Sequence, residues 1–229
     1  MFNINENCRL EQFVAKKNFY TYADMTGADK KIFTDDISKI TLLYQLQPRN
    51  TNIAPYKDDI REYPMINVFE IQLSQDGKLK RIAEIIMRSI PYPTVLVFSF
   101  DDKYQIWTAH QRTNQNDETK NVLEDFINTD WETDIDWLDI SQMNMTNFYA
   151  LYSDIVDCIS VHNAKAVVQS ETELTGDEAR AITTQLAELD NQIIALKASM
   201  KKETQFNKRV ELNMQIKKLE QKKKIIVGC

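Results

Sequence analysis

Between Asp177 and Val227 the chain contains neither glycine nor proline, and its apolar residues recur every three or four positions. That spacing places them on one stripe of a helix and argues for a long helical arm. Leu186, Leu189, Ile193, Leu196 and Met200 form a first seam of coiled-coil type; Leu212, Ile216, Leu219, Lys223 and Ile226 form a second. The two are out of phase, because the first register, if continued, would fall on Asn207, Val210 and Met214. Three arrangements fit the slip: one long helix with a discontinuity, stripes that pair with another copy, or a fold-back near Thr204 to Asn207. The fold-back, an antiparallel helical hairpin, is favoured because each half then buries its stripe against the other.

The arm also divides the charge. Residues 177–229 carry 11 Lys+Arg against 7 Asp+Glu, whereas the 229-residue chain as a whole has a net charge of −6. An acidic body therefore carries a basic arm. Lys201, Lys202, Lys208 and Arg209 cluster where the hairpin would turn, and they are the candidate contacts for phosphates or an acidic partner. Phosphate contacts carry no sequence information, and Phe206 is the arm's one aromatic residue. Any contact with DNA would accordingly be non-specific, without stacking on single-stranded bases.

The preceding residues read as an α+β body. Thr26 with Asp29 resembles a capping box, and Ile32, Phe33, Ile37 and Ile40 follow at near-helical spacing. Ile40 to Pro48 suits a strand, and Asn52 to Ile53 would begin a second short one. Met65 to Leu73 alternates Asn67, Phe69, Ile71 and Leu73 on one face with Ile66, Val68, Glu70 and Gln72 on the other. After Asp76-Gly77, Leu79, Ile82, Ile85 and Ile86 mark a helix that Pro91 and Pro93 stop. Thr94 to Phe100 is continuously apolar, as in a strand buried on both faces, and Asp101-Asp102 turns the chain into an antiparallel partner, Tyr104 to His110. A right-handed crossover makes Met65–Leu73 and Thr94–Phe100 parallel neighbours.

Gln111 to Glu118 reads as an exposed polar loop. Trp131 and Trp137 lie among Asp130, Glu132, Asp134, Asp136 and Asp139, either as an irregular cover with the indoles inward or as an acidic-aromatic docking surface. A last body helix runs near Asn147 to His162 through Phe148, Leu151, Tyr152, Ile155 and Val156. The expected organisation is a mixed sheet with flanking helices over residues 1–168, a polar linker, and the arm over residues 177–227.

The sequence shows no phosphate loop, GxGxxG motif or serine nucleophile elbow. The odd set Cys8, Cys158 and Cys229 has neither metal-ligand spacing nor the pattern of a disulfide framework. With no signal peptide and no apolar span, a cytoplasmic protein off the membrane is expected. His110 and His162 have no ligand-spaced neighbours and read as surface or structural residues. No cofactor, metal site or catalytic residue is assigned. The enzymatic alternative is topological: the helix–strand–helix–strand order resembles the core of PD-(D/E)xK nucleases. There Asp59 (or Asp58) and Glu70 would hold Mg²⁺, and Gln72 takes the position of the motif lysine.

The arm segment QFNKRVELN, together with FTDDISKI, NTNIA, VFEIQL and SIPYPTVLVF in the body, resembles the bacterial family called domain of unknown function 4391. The resemblance spans most of Phe33 to Leu219. It implies companionship with a helicase or DNA methyltransferase in restriction or phage-defence loci, and no catalytic residues. The expected function is thus a non-enzymatic accessory subunit whose arm engages a larger DNA-acting partner. Leu186, Leu189, Ile193, Leu196, Leu212, Ile216 and Leu219 are its candidate pairing residues. Self-association through the arm is the further alternative.

Overall fold

The protein, examined as a computed structural model, is described over residues 2–22, 25–114, 117–168 and 173–228. It divides into two compact units, Met1–Ile159 and Ser160–Cys229. The first is α+β. A six-stranded mixed sheet runs in the order β1 (Arg9–Phe13), β2 (Ile37–Leu46), β5 (Ile66–Leu73), β6 (Thr94–Phe100), β7 (Lys103–Thr108) and β10 (Ile127–Asn128). Two small hairpins stand outside it, β3 (Tyr56–Lys57) with β4 (Glu62–Tyr63) and β8 (Gln111–Asn114) with β9 (Asp117–Leu123). The helices of this unit are α1 (Lys16–Tyr22), α2 (Gly27–Asp35), the single turn α3 (Pro48–Thr51), α4 (Leu79–Ser89) and most of α5 (Phe148–Val167).

Strand β5 is the hinge of the architecture. It pairs antiparallel with β2 and parallel with β6, with Glu70 opposite Thr41 on one side and Val97 on the other. The parallel pair follows from the crossover through α4, whose Leu79, Ile82, Ile85 and Ile86 pack into the core. Burying each such side chain stabilises by about 1.5–3 kcal/mol. The alternation of β5 separates two cores. Phe69, Ile71 and Leu73 join α4, Phe19 and Phe33 on one face; Ile66 and Val68 join Phe148, Leu151, Tyr152, Ile155 and Val156 of α5 on the other. No residue of either core lies beyond Ile159 among the described residues.

Local chemistry sets the element ends. Thr26 and Asp29 form a reciprocal capping box at α2, and the Asn147 side chain accepts the Ala150 N–H at the start of α5. Asp101 and Asp102 both have positive φ, 47° and 58°, which is the backbone of a tight two-residue hairpin between β6 and β7. Gly77 is required by close approach, since a Cβ there would run into the Asp36 carboxylate.

Several expectations shift. The helix from Thr26 is shorter than its periodicity suggests: Ile37 and Ile40 belong to β2, where they are buried by sheet packing. Asn52 follows the α3 turn in a left-handed conformation instead of opening a strand. Gln111–Asn114 and Asp117–Leu123 pair antiparallel as β8 and β9 where a loop over Gln111 to Glu118 is expected, residues 115–116 of that stretch lying outside the described residues. Strand β1 and helix α1 have no clear periodic signal, and β1 is an exposed edge with Leu10 and Phe13 open. The segment around Trp131 and Trp137 is mostly irregular, with each indole half-buried against one of the two cores. Its alternative use as a docking surface is not required by this packing.

The second unit holds α6 (Gly176–Lys202) and α7 (Phe206–Val227). Thr175 and Glu178 cap α6 with another reciprocal box. Part of the polar linker, residues 169–172, and Cys229 lie outside the described residues. Among the described residues no helix is long and apolar enough to cross a membrane.

Candidate functional site

The arm is an antiparallel helical hairpin. Helix α6 ends at Lys202 and α7 begins at Phe206, so the chain reverses at the place where the two apolar registers part. Glu203 accepts the Gln205 N–H at 2.8 Å, which ties the turn. That bond holds the Glu203 carboxyl below its usual range. Two cross-helix ion pairs fix the register: Lys197 Nζ to Glu220 at 3.0 Å, and Lys223 Nζ to both oxygens of Asp190 at 2.6 and 2.7 Å. The first pair is exposed and the second only partly covered, so each is worth about 1 kcal/mol or less and sets alignment more than stability.

The candidate pairing residues occupy the inner stripes. Leu186, Leu189, Ile193 and Ile216 are buried, while Leu196, Leu212 and Leu219 are half-buried. Leu196 and Leu219 line a shallow groove of about 490 Å³ between α6 and α7, with Gln192 and Lys222 at its rim. Lys201, Lys202, Lys208 and Arg209 are all exposed at the closed end of the hairpin. Lys208 and Arg209 stand in the first turn of α7, where the helix dipole disfavours cations.

A second apolar stripe on α7 escapes the register analysis. Phe206, Val210 and Met214 are 76%, 43% and 55% exposed, and Ile225 is 71% exposed three turns further along the same face. On a 3.6-residue helix this face lies opposite Leu212, Ile216 and Leu219. Val210 and Met214 are the positions that a continued first register would have used. The fold-back leaves them outside.

The carboxylates of the nuclease alternative stand on two elements, Asp58 and Asp59 between β3 and β4 and Glu70 within β5. Asp58 is consumed by its own turn: Oδ1 accepts the N–H groups of Ile60 and Arg61 at 2.8 and 2.6 Å, and Oδ2 accepts the Tyr56 hydroxyl at 2.8 Å. These bonds, led by that from Ile60, lower its pKa. Asp59 is exposed on the same turn, which Ile60 tethers to β8 by accepting the Thr113 N–H. Glu70 is half-buried and accepts the Ser99 hydroxyl at 3.1 Å, and half-buried Gln72, two residues further along the same face of β5, lies level with Ser99. Among the described residues no group of three His, Cys, Asp or Glu is placed to hold a metal ion.

Three separated segments build a polar aromatic cluster that no spacing announces. His110 Nδ1 lies 2.8 Å from the Tyr63 hydroxyl, and both rings pack with Tyr149 and Tyr152. Tyr152 bridges the carbonyls of Thr94 and Ala109 at 2.9 and 3.0 Å. Arg61 stacks over Tyr149 and pairs with Glu124 at 3.1 Å. Burial pushes both the Tyr63 and Tyr152 phenols far above their ordinary range, so they stay neutral and act as structural hydrogen-bonding groups. Cys8 is buried and Cys158 half-buried, and neither is in a disulfide.

The fold thus defines a class: a mixed-sheet α+β body bearing a C-terminal antiparallel helical arm. The family model described as a domain of unknown function (DUF4391) matches residues 2–222, so nearly the whole chain is covered, and the protein belongs to that family. Comparison with curated proteins gives no match, and comparison with solved structures gives none.

Proposed function

We propose that the protein is a non-enzymatic adaptor, an accessory subunit that docks a larger partner through its helical arm. The observation that supports this most is the arm's outer surface, which keeps exposed apolar side chains and a cluster of four cations after its two helices have covered their inner stripes. Such patches on a soluble surface mark interaction sites more often than isolated exposed residues do. The family resemblance supplies the setting. The partner would be a helicase or DNA methyltransferase of a bacterial anti-phage or restriction-like assembly in the cytoplasm, with DNA close by and touched non-specifically. Deleting residues 173–229 should leave a folded body, since both of its cores end by Ile159, and should abolish co-purification of the partner from the native host. Undiminished co-purification would sink the adaptor reading.

A nuclease of the PD-(D/E)xK type is the second reading, and one observation favours it. Lys39 stands directly opposite Gln72 in the β2–β5 register, so a positive charge lies beside the position where the motif lysine is missing. Against it, both oxygens of Asp58 are taken up by the turn that carries them. The purified chain with Mg²⁺ or Mn²⁺ should leave plasmid and linear DNA intact over hours. Cleavage that disappears in Glu70→Ala would establish the nuclease instead.

A further inference from the structure

We infer that the outer face of α7 is a docking site for an acidic amphipathic helix of a partner protein. The inference rests on the adaptor reading and adds the chemistry of what is docked. Phe206, Val210 and Met214 succeed one another at four-residue spacing, so they stand one above the next, as the anchors of a helix-in-groove or helix-on-helix contact do. Exposed Lys217 and Lys218 continue the same side of the helix toward Ile225. Exposed Lys224 stands on that side too, whereas Lys223 is held by Asp190 across the hairpin. The site therefore offers an apolar strip edged by positive charge, and its complement is a strip of Leu, Ile or Met edged by Glu and Asp.

Charge chooses among the occupants. A second copy's α7 would set two strongly basic helices side by side, which repels. DNA would use the lysines but has nothing to place on Phe206, Val210 and Met214. Those three side chains gain only by leaving water against an apolar partner surface.

The test uses the full chain and two synthetic 20-residue helices with the same leucine stripe, one flanked by Glu and the other by Lys. Fluorescence anisotropy should show the Glu peptide binding and the Lys peptide not. The double variant Phe206→Asp/Met214→Asp should weaken the Glu peptide at least tenfold, with helicity by circular dichroism unchanged. Charge reversal at Lys217 and Lys218 to Glu, which leaves the apolar anchors intact, should also weaken it. Raising salt from about 0.05 to 0.5 M should weaken it several-fold. Equal binding of the two peptides, an unaffected double variant, or sedimentation as a dimer that the double variant dissociates would each overturn the inference. So would tighter binding of a DNA duplex that the double variant leaves unchanged. In the native host, a partner lost on arm deletion but retained by the double variant would refute this site alone and leave the adaptor standing.

Discussion

Replacing Asp29 with alanine should destabilise the body by about 3 kcal/mol. The carboxylate does two jobs from one buried position. It closes the capping box of α2, accepting the Thr26 N–H at 2.9 Å and the Thr26 hydroxyl at 2.8 Å. It also receives a bidentate pair from Arg81 on α4, Nε to Oδ1 at 2.8 Å and Nη2 to Oδ2 at 2.9 Å. A lost cap costs about 1 kcal/mol, and charge-assisted bonds about 1.5–3 kcal/mol. Water takes up part of the second figure, because the Arg81 side chain is 38% exposed. Urea denaturation followed by tryptophan fluorescence reads this directly, because Trp107, Trp131 and Trp137 all lie in the body.

The same pair fixes the sign of a pH effect. Hydrogen bonds from Arg81 first, and then from Thr26, hold the Asp29 carboxyl well below its ordinary range in the folded protein. A depressed folded pKa contributes stability that is fully present above the unfolded value of about 3.9 and is lost as pH falls toward the folded value. The stability gap between wild type and Asp29→Ala should therefore be widest at neutral pH and narrow steadily below about pH 4. A gap below about 0.5 kcal/mol at pH 7, or one that widens in acid, would mean that the bidentate pair is not what joins α2 to α4.

Ile216→Asp should open the arm while leaving the body's transition in place. Ile216 is 3% exposed on the inner stripe of α7. The substitution forfeits about 2 kcal/mol of apolar burial and adds the larger cost of a carboxylate with no partner in a dry seam. The hairpin then separates, and each helix loses the tertiary packing of its apolar face, which supplies most of a helix's stability in a protein. Circular dichroism at 222 nm should lose helical signal, with tryptophan fluorescence melting as in wild type because the arm contains no tryptophan. Met214→Asp, two residues away on the 55%-exposed outer face, should change stability by no more than about 0.5 kcal/mol. Equal damage from the two variants would mean that the hairpin register is wrong.

That contrast marks the boundary between sequence and structure. Spacing alone locates α4, β5 and β6, because each buries a stripe or face whose period is written within a dozen residues. The α2 capping box and the Asp101-Asp102 turn are equally local. The phase slip at Thr204 to Asn207 is legible too, and it coincides with the reversal between α6 and α7. The Arg81–Asp29 pair, the His110–Tyr63 contact and strand β1 are not legible, since their partners lie 52, 47 and more than 25 positions away and obey no period. Helix α7 shows why most plainly. Its sequence carries apolar residues on two opposite faces, one in the Leu212, Ile216 and Leu219 register and one continuing the register of α6 through Val210 and Met214. The sequence by itself determined that α7 is a helix with two candidate faces. The tertiary structure decided which is covered, because only an antiparallel α6 presents Leu186, Leu189 and Ile193 to one of them, and hydrophobic burial acts between surfaces that the fold brings together.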